Sequence, residues 1–257
     1  MTTMRTSMTS FAVGIVPIAL LVGLWSALAT FEFAPPSLLP APQTVFLRLF
    51  RLLGDPQFLS HCAVTLFRLF TGFLIAAVLG IAFGIAAAGS RPVAAALTPL
   101  IRVLAPVPKI ALYPAFVLTL GFEHSSKIAL VVADALFPIL LATYQGAMAV
   151  EPKLVWSARA AGTSQRAVLF KVVLMAAMPS VLTGCRIGLI ISCIVVFLAE
   201  MITSTDGLGY LLVRAGRNFQ TVDMFVPLIS ISILGLTLNA AFNMLRAWLL
   251  RGFPEER

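Results

Sequence analysis

The sequence predicts an all-α, polytopic membrane bundle of six transmembrane helices. Three observations predict it. Apolar residues make up 60% of the 257 and charged residues only 11%, whereas a soluble domain carries about a quarter charged residues. The apolar residues fall in runs long enough to cross a hydrocarbon core of about 30 Å as helices. The bases lie mostly between those runs, where they anchor loops against anionic lipid. The formal charge of +8, from 18 Lys and Arg against 10 Asp and Glu, therefore points to a bilayer. No aromatic–basic module accompanies it, so no nucleic-acid partner is expected.

The first run, Phe11 to Phe31, is uncharged and about 21 residues long, enough to span. A signal peptide is the rival reading, and Ala27-Leu28-Ala29 resembles a cleavage site. The apolar stretch exceeds the about 7–15 residues of a typical h-region, which favours a retained span. Prolines crowd the stretch from Ala34 to Pro42 and break any helix there. Gln43 to Leu53 reads as a short interfacial helix, with Arg48 and Arg51 on one side. The second span is 63–88, where Gly80 and Gly84 form a G-x-x-x-G pair that permits close helix approach. Gly184 and Gly188 repeat the spacing in the fifth span; in Gly- and Ala-rich helices it also arises by chance.

After the Arg91-Pro92 turn, Pro106, Pro108 and Pro114 interrupt the third span, 106–122. Broken helices at membrane depth require protein or a water-filled path beside them. The segment is thus a pore-lining candidate or a helix entering from the interface. A tight loop, Glu123 to Ser126, leads to the fourth span, 128–148. A basic loop, 151–179, leads to the fifth, 180–202. A polar loop containing Asp206-Gly207-Leu208-Gly209 leads to the sixth, 224–245. All spans form one permease domain, 1–257.

With the N-terminus inside, the inner bases are Arg5, Arg91, Lys153, Arg159, Arg166, Lys171, Arg246, Arg251 and Arg257. The outer loops hold Arg48, Arg51, Lys127, Arg214 and Arg217. This distribution follows the positive-inside rule and puts both termini in the cytoplasm. No inverted repeat is evident, which weighs against a secondary transporter.

Cys62, Cys185 and Cys193 are scattered, without disulfide or metal spacing. They read as small apolar filler. His61 and His124 sit in no metal-binding pattern, so no metal site is expected. Two acids fall inside spans, Asp134 and Glu200. Acids at such depth are costly and usually face a cavity or a partner. Together with Pro108 and Pro114 they are the candidate lining of a translocation path. The alternatives are a structural pairing of Asp134 with Lys127 or a neighbouring helix, and loop anchoring by Glu200. Arg102 and Lys109 flank the broken span and either attract an anion or snorkel to the interface. Arg214 and Arg217 could meet an acidic protein or an anionic solute.

The loop after span four is the most informative stretch. Pro152 suits the first turn of a helix and Gly162 the residue just past its end. Leu154, Val155, Ala158 and Ala161 fall at helical spacing and give one apolar face. With a second helix from Gln165 to Leu174, this makes a basic amphipathic elbow.

The run Trp156, Ser157, Ala158, Arg159, Ala160, Ala161, Gly162, Thr163 and Ser164 resembles the EAA loop of ABC importer permeases. So do Val172-Val173-Leu174, Met178-Pro179 and Leu182-Thr183-Gly184-Cys185-Arg186-Ile187-Gly188. The variant is similar to the nitrate, sulfonate and taurine type. Pro35 to Pro42, Pro106-Val107-Pro108, Tyr113-Pro114, Phe137-Pro138, Ala199-Glu200-Met201 and Gly207-Leu208-Gly209 extend the resemblance in order along nearly the whole chain. Trp156 stands where the family has a glutamate, Met175 where it has a proline, and Asp134 where it has a small residue.

The resemblance implies the type I ABC importer permease fold in a bacterial cytoplasmic (inner) membrane. It implies a homodimer, two separate ATP-binding subunits and an external, periplasmic solute-binding protein. The short helix would couple to the ATPase through residues 151–166, with Trp156 to Ser164 as the contact. ATP and Mg would sit on the partner, since this chain contains no G-x-x-x-x-G-K-[ST]; the chain itself would be no enzyme. The implied solute is a small anion, an aliphatic sulfonate or taurine first, with nitrate, a thiamine-precursor pyrimidine or an aromatic acid as alternatives. An ion-gradient transporter with ion sites at Asp134 and Glu200 is the rival class. A membrane enzyme would need a nucleophile–base pair that the sequence does not offer.

Overall fold

A computed structural model gives the structure of the protein. It describes residues 2–253 except Pro36, and side chains from Val16 onward. Arg5 and the start of the expected first span at Phe11 thus lack described side chains, and Arg257 lies outside the described residues.

Among those residues the chain is helical. The order is α1 (Thr2–Thr30), α2 (Pro42–Leu52), α3 (Pro56–Gly89), α4 (Arg91–Leu104), a 3-10 turn (Lys109–Leu112), α5 (Tyr113–Leu120), α6 (His124–Met148) and α7 (Pro152–Ala160). Then come α8 (Gln165–Val168), a π turn (Leu169–Val173), α9 (Leu174–Ala176), α10 (Met178–Thr203), α11 (Leu208–Arg217) and α12 (Thr221–Leu249). By length and composition α3, α6, α10 and α12 can each cross a membrane. The pair α4 and 109–120 passes the same test as one broken span, bent by 87°. The described apolar part of α1, Val16–Thr30, is shorter than a full span. A count of six requires both to cross.

Two compact units form. One comprises residues 1–60 and 211–230; the other comprises 61–210 and 231–257. In the first, the proline-dense loop is tied down by its neighbours. Trp25 donates its indole N–H to the Pro40 carbonyl at 3.0 Å and stacks on Phe225 with centroids 5.4 Å apart. The Thr221 hydroxyl donates to the Ser37 carbonyl. Arg48 grips the Asp223 carboxylate through Nε at 2.6 Å and Nη2 at 3.2 Å, a fork-to-fork pair.

In the second unit α6 is the central element. Its Leu130, Val131, Ala135 and Ile139 are fully buried. Both G-x-x-x-G pairs pack against it. A Cβ on Gly80 would lie 2.9 Å from Ile139 Cγ2, and one on Gly84 2.7 Å from Thr143 Cβ. On α10, a Cβ on Gly184 would lie 2.6 Å from Ala142 Cβ, and one on Gly188 2.7 Å from Ile139 Cδ1. The spacing is used for the close approach of α3 and α10 to α6 rather than arising by chance. Cys185 and Cys193 are buried in this core.

Three loops differ from expectation. His124 to Ser126 belong to α6, because His124 opens that helix directly after Glu123. The polar loop after span five contains α11, whose apolar residues lie on one face. The second helix of the elbow is interrupted by the π turn, which accommodates one extra residue per turn within a continuing helix.

Candidate functional site

The elbow is built from its ends inward. Pro152 occupies the first turn of α7, where a missing N–H costs nothing. At the other end Thr163 N–H donates to Ala158 O at 3.1 Å and Gly162 N–H to Arg159 O at 3.0 Å. These are the two bonds of a Schellman cap, with Gly162 in the left-handed region at φ 82°. Ser164 then caps α8 by accepting the Ala167 N–H. The expected single apolar face is divided. Val155 and Ala158 turn inward and pack against the core. Leu154 and Trp156 point outward, 48% and 67% exposed, as do Ser157, Arg159, Ala160, Ala161 and Ser164. Leu169, in the π turn, lies over Gly89 at the end of α3, where a Cβ would come within 2.5 Å of it. A presented apolar knob on a firmly seated elbow can dock into a groove and transmit its displacement.

The broken span places Pro108 just before the 3-10 turn and Pro114 in the first turn of α5; both are exposed. Lys109 does not snorkel. It is 7% exposed, donates to Ala105 O at 2.7 Å and sits 4.6 Å over the Phe137 ring. Its ammonium lies 3.8 Å from Asp134, whose side chain is 28% exposed. Asp134 therefore pairs with Lys109 and not with Lys127. Lys127 donates instead to the Phe122 and Glu123 carbonyls, at 2.5 and 3.1 Å, and so satisfies backbone acceptors in the α5–α6 turn.

Glu200 lies in a buried polar cluster that sequence reasoning did not assemble. Arg68 donates through Nη1 to Glu200 at 2.9 Å and through Nη2 to Asp206. Its Nε donates to His124 Nδ1 at 3.1 Å. The Thr65 hydroxyl donates to Glu200 at 2.9 Å and accepts the Leu208 N–H at 2.9 Å. Gly209 N–H donates to Glu200 at 3.1 Å, and Gly207 N–H to His61 Nδ1 at 3.0 Å. The cluster clasps the 204–209 turn against α3 and the end of α10. Gly207, at φ 99°, is required because a Cβ there would fall on the Glu200 carboxylate. Burial pulls the Asp206 carboxyl upward, but the hydrogen bond and charge of Arg68 outweigh it and hold it below the ordinary carboxylate value. The missed residues were Arg68, Thr65, His61 and His124. One signal was available: Arg68 is the single charge inside an apolar run of more than thirty residues, and such a charge demands a partner.

Known proteins share this architecture. Residues 80–253 match the family model for the binding-protein-dependent transport system inner membrane component. The chain is 30% identical over 233 residues to the aliphatic sulfonates transport permease protein SsuC of Bacillus subtilis, covering 91% of this chain and 84% of that one. It is 31% identical over 234 residues to the taurine transport system permease protein TauC of Escherichia coli, covering 89% and 85%. A chain of the MetNI methionine ABC transporter, in an inward-facing conformation, superposes with a TM-score of 0.63 at 18% identity. That match covers 72% of this chain and 93% of that one, a likeness of fold. A family model that takes in α6, the elbow, α10 and the 204–209 turn, with relatives matched along most of their length, makes the chain a member of the binding-protein-dependent transport system inner membrane component family.

Proposed function

We propose that the chain is the path-forming half of an ATP-driven importer for a small organic anion, with an aliphatic sulfonate or taurine first. Family membership together with the presented elbow supports the reading: α7 offers Leu154 and Trp156 outward on a seated base. Trp156 to Ser164 form the contact with an ATP-binding subunit. Trp156, in place of the family's glutamate, makes that contact chiefly apolar. Two copies of this chain form the path, two partner subunits bind ATP and Mg, and an external binding protein delivers the solute. The termini and the elbow face the cytoplasm. The broken span supplies the path lining, through Pro108, Pro114 and Asp134. Glu200 is engaged with Thr65, Arg68 and Gly209 and takes the loop-anchoring role. Closure of the ATP-bound partners moves the paired elbows, and the helices exchange inward-facing for outward-facing states, a switch driven by contacts that differ between the two.

The test replaces Arg159 to Ser164 with a Gly-Ser linker. Co-purification of the ATPase and ATP-dependent uptake of labelled taurine or ethanesulfonate are then measured, alongside membrane insertion. Loss of both with insertion intact supports the assignment. Unchanged co-purification refutes the elbow contact, and uptake that survives ATP depletion refutes the energy source.

A further inference from the structure

At the end of the bundle nearest the elbow, a cavity of about 360 Å³ opens between the last turns of α6, the first turns of α10 and the last turn of α12. It falls within the roughly 300–1,000 Å³ of ordinary small-molecule pockets. Its wall includes Gln145, Ser180, Thr183 and Arg246. Arg246 is partly buried, and its Nε is a buried donor with no acceptor among the described residues. Thr183 spends its hydroxyl proton on the Pro179 carbonyl at 2.9 Å, so it offers the cavity an oxygen. One turn beyond it on α10 is Arg186, a second cation at membrane depth. Its Nε is held at 2.9 Å by Asn239, which lies two turns before Arg246 on α12. Among the described residues, neither guanidinium has a carboxylate within 4.0 Å. The buried cations differ. Arg68 and Lys109 have carboxylates beside them, and Lys127 has two carbonyls.

We propose that this cavity binds a small tetrahedral oxyanion, a sulfonate or phosphate group. Arg246 is the direct ligand, Gln145 and Ser180 are neutral donors, and Arg186 supplies a second positive charge. Guanidinium forks suit such groups because two N–H donors meet two oxygens. Positive charge with no counter-ion among the described residues, in a low-dielectric wall, draws an anion from either side of the interface. On the orientation proposed above, the cavity lies at the inner mouth, where an imported sulfonate leaves; this part of the inference rests on that reading. The same chemistry fits an anionic lipid headgroup.

The test uses the full chain in phosphatidylcholine nanodiscs with radiolabelled ethanesulfonate as probe. Saturable binding is expected. Arg246→Gln should weaken it by about tenfold or more, the loss of a charge-assisted bond, and Arg246→Lys and Ser180→Ala by a smaller factor. Thr119→Ala, on an exposed position, should leave it unchanged. If phosphatidylglycerol added to the discs displaces the probe and is retained, by native mass spectrometry, on the wild type and not on Arg246→Gln, the oxyanion is a lipid phosphate and the site stands. Ethanesulfonate binding and phosphatidylglycerol retention that are both indifferent to Arg246→Gln and Arg246→Lys, in protein with wild-type thermal unfolding, overturn the proposal. Binding is read without ATP or partners. Absence of ATP-dependent uptake by the assembled transporter would therefore refute the importer reading and leave this result standing.

Discussion

Replacing Arg68 by Met should expose how the 204–209 turn is held. The guanidinium is 2% exposed and touches Glu200, Asp206, Ser204 and His124. Without it, Glu200 keeps only the Thr65 hydroxyl and the Gly209 N–H. Its carboxylate would then be buried with no cation beside it. Breaking a buried ion pair from one side costs about 3–5 kcal/mol, whereas replacing both partners by apolar groups of similar size is often neutral. Asp206 is 37% exposed and can turn to water, so Glu200 dominates the loss. The expected order is Arg68→Met worst, by about 3–5 kcal/mol, with Arg68→Met/Glu200→Met restored to within about 2 kcal/mol of wild type. Equilibrium unfolding of the purified full chain in mixed detergent micelles, run as a double-mutant cycle, measures this. A single-variant loss below about 1 kcal/mol, or losses that simply add in the double variant, would show that the cluster is not a coupled clasp.

Gly207→Ala should destabilise by more than the about 1–2 kcal/mol of left-handed strain alone, because its methyl would displace Glu200; the same unfolding assay decides. Gly162→Ala meets open space, so strain alone of about 1–2 kcal/mol is expected, and Gly162→Asn should recover most of the thermal stability. The Asp206 carboxyl is held below its ordinary value in the folded state. Its contribution is therefore complete above the unfolded value near pH ~4 and disappears as pH falls through the folded value. The melting temperature of wild type should drop more steeply with acid below about pH 4 than that of Asp206→Asn, and parallel curves would refute the pairing.

The helical class was legible because length and composition are local properties, and α3, α6, α10 and α12 are long and apolar enough to cross a membrane. The end of α7 at Gly162 was legible for the same reason: a proline at one end and a glycine at the other bound a short helix. Partner choice was not. Asp134 is seven residues from Lys127 on its own helix yet pairs with Lys109, since a bent span brings residues distant in sequence together. Nor could periodicity reveal that Val155 and Ala158 turn inward while Leu154 and Trp156 do not. An apolar face marks a surface to be covered without naming what covers it. The clasp around Glu200 joins α3, α6 and the 204–209 turn, and only a fold assembles such a set.

The packing of α6 carries a mechanical consequence. Glycines of α3 and of α10 meet α6 so closely that they leave no space for even a methyl group. Helices meshed this closely cannot slide past one another without backbone collision, and they rotate together or not at all. Deformation must then concentrate where the backbone is already irregular: the proline-rich break between α4 and α5, and the π turn next to the elbow. The three helices act as a stiff lever, and those two irregular segments are its pivots.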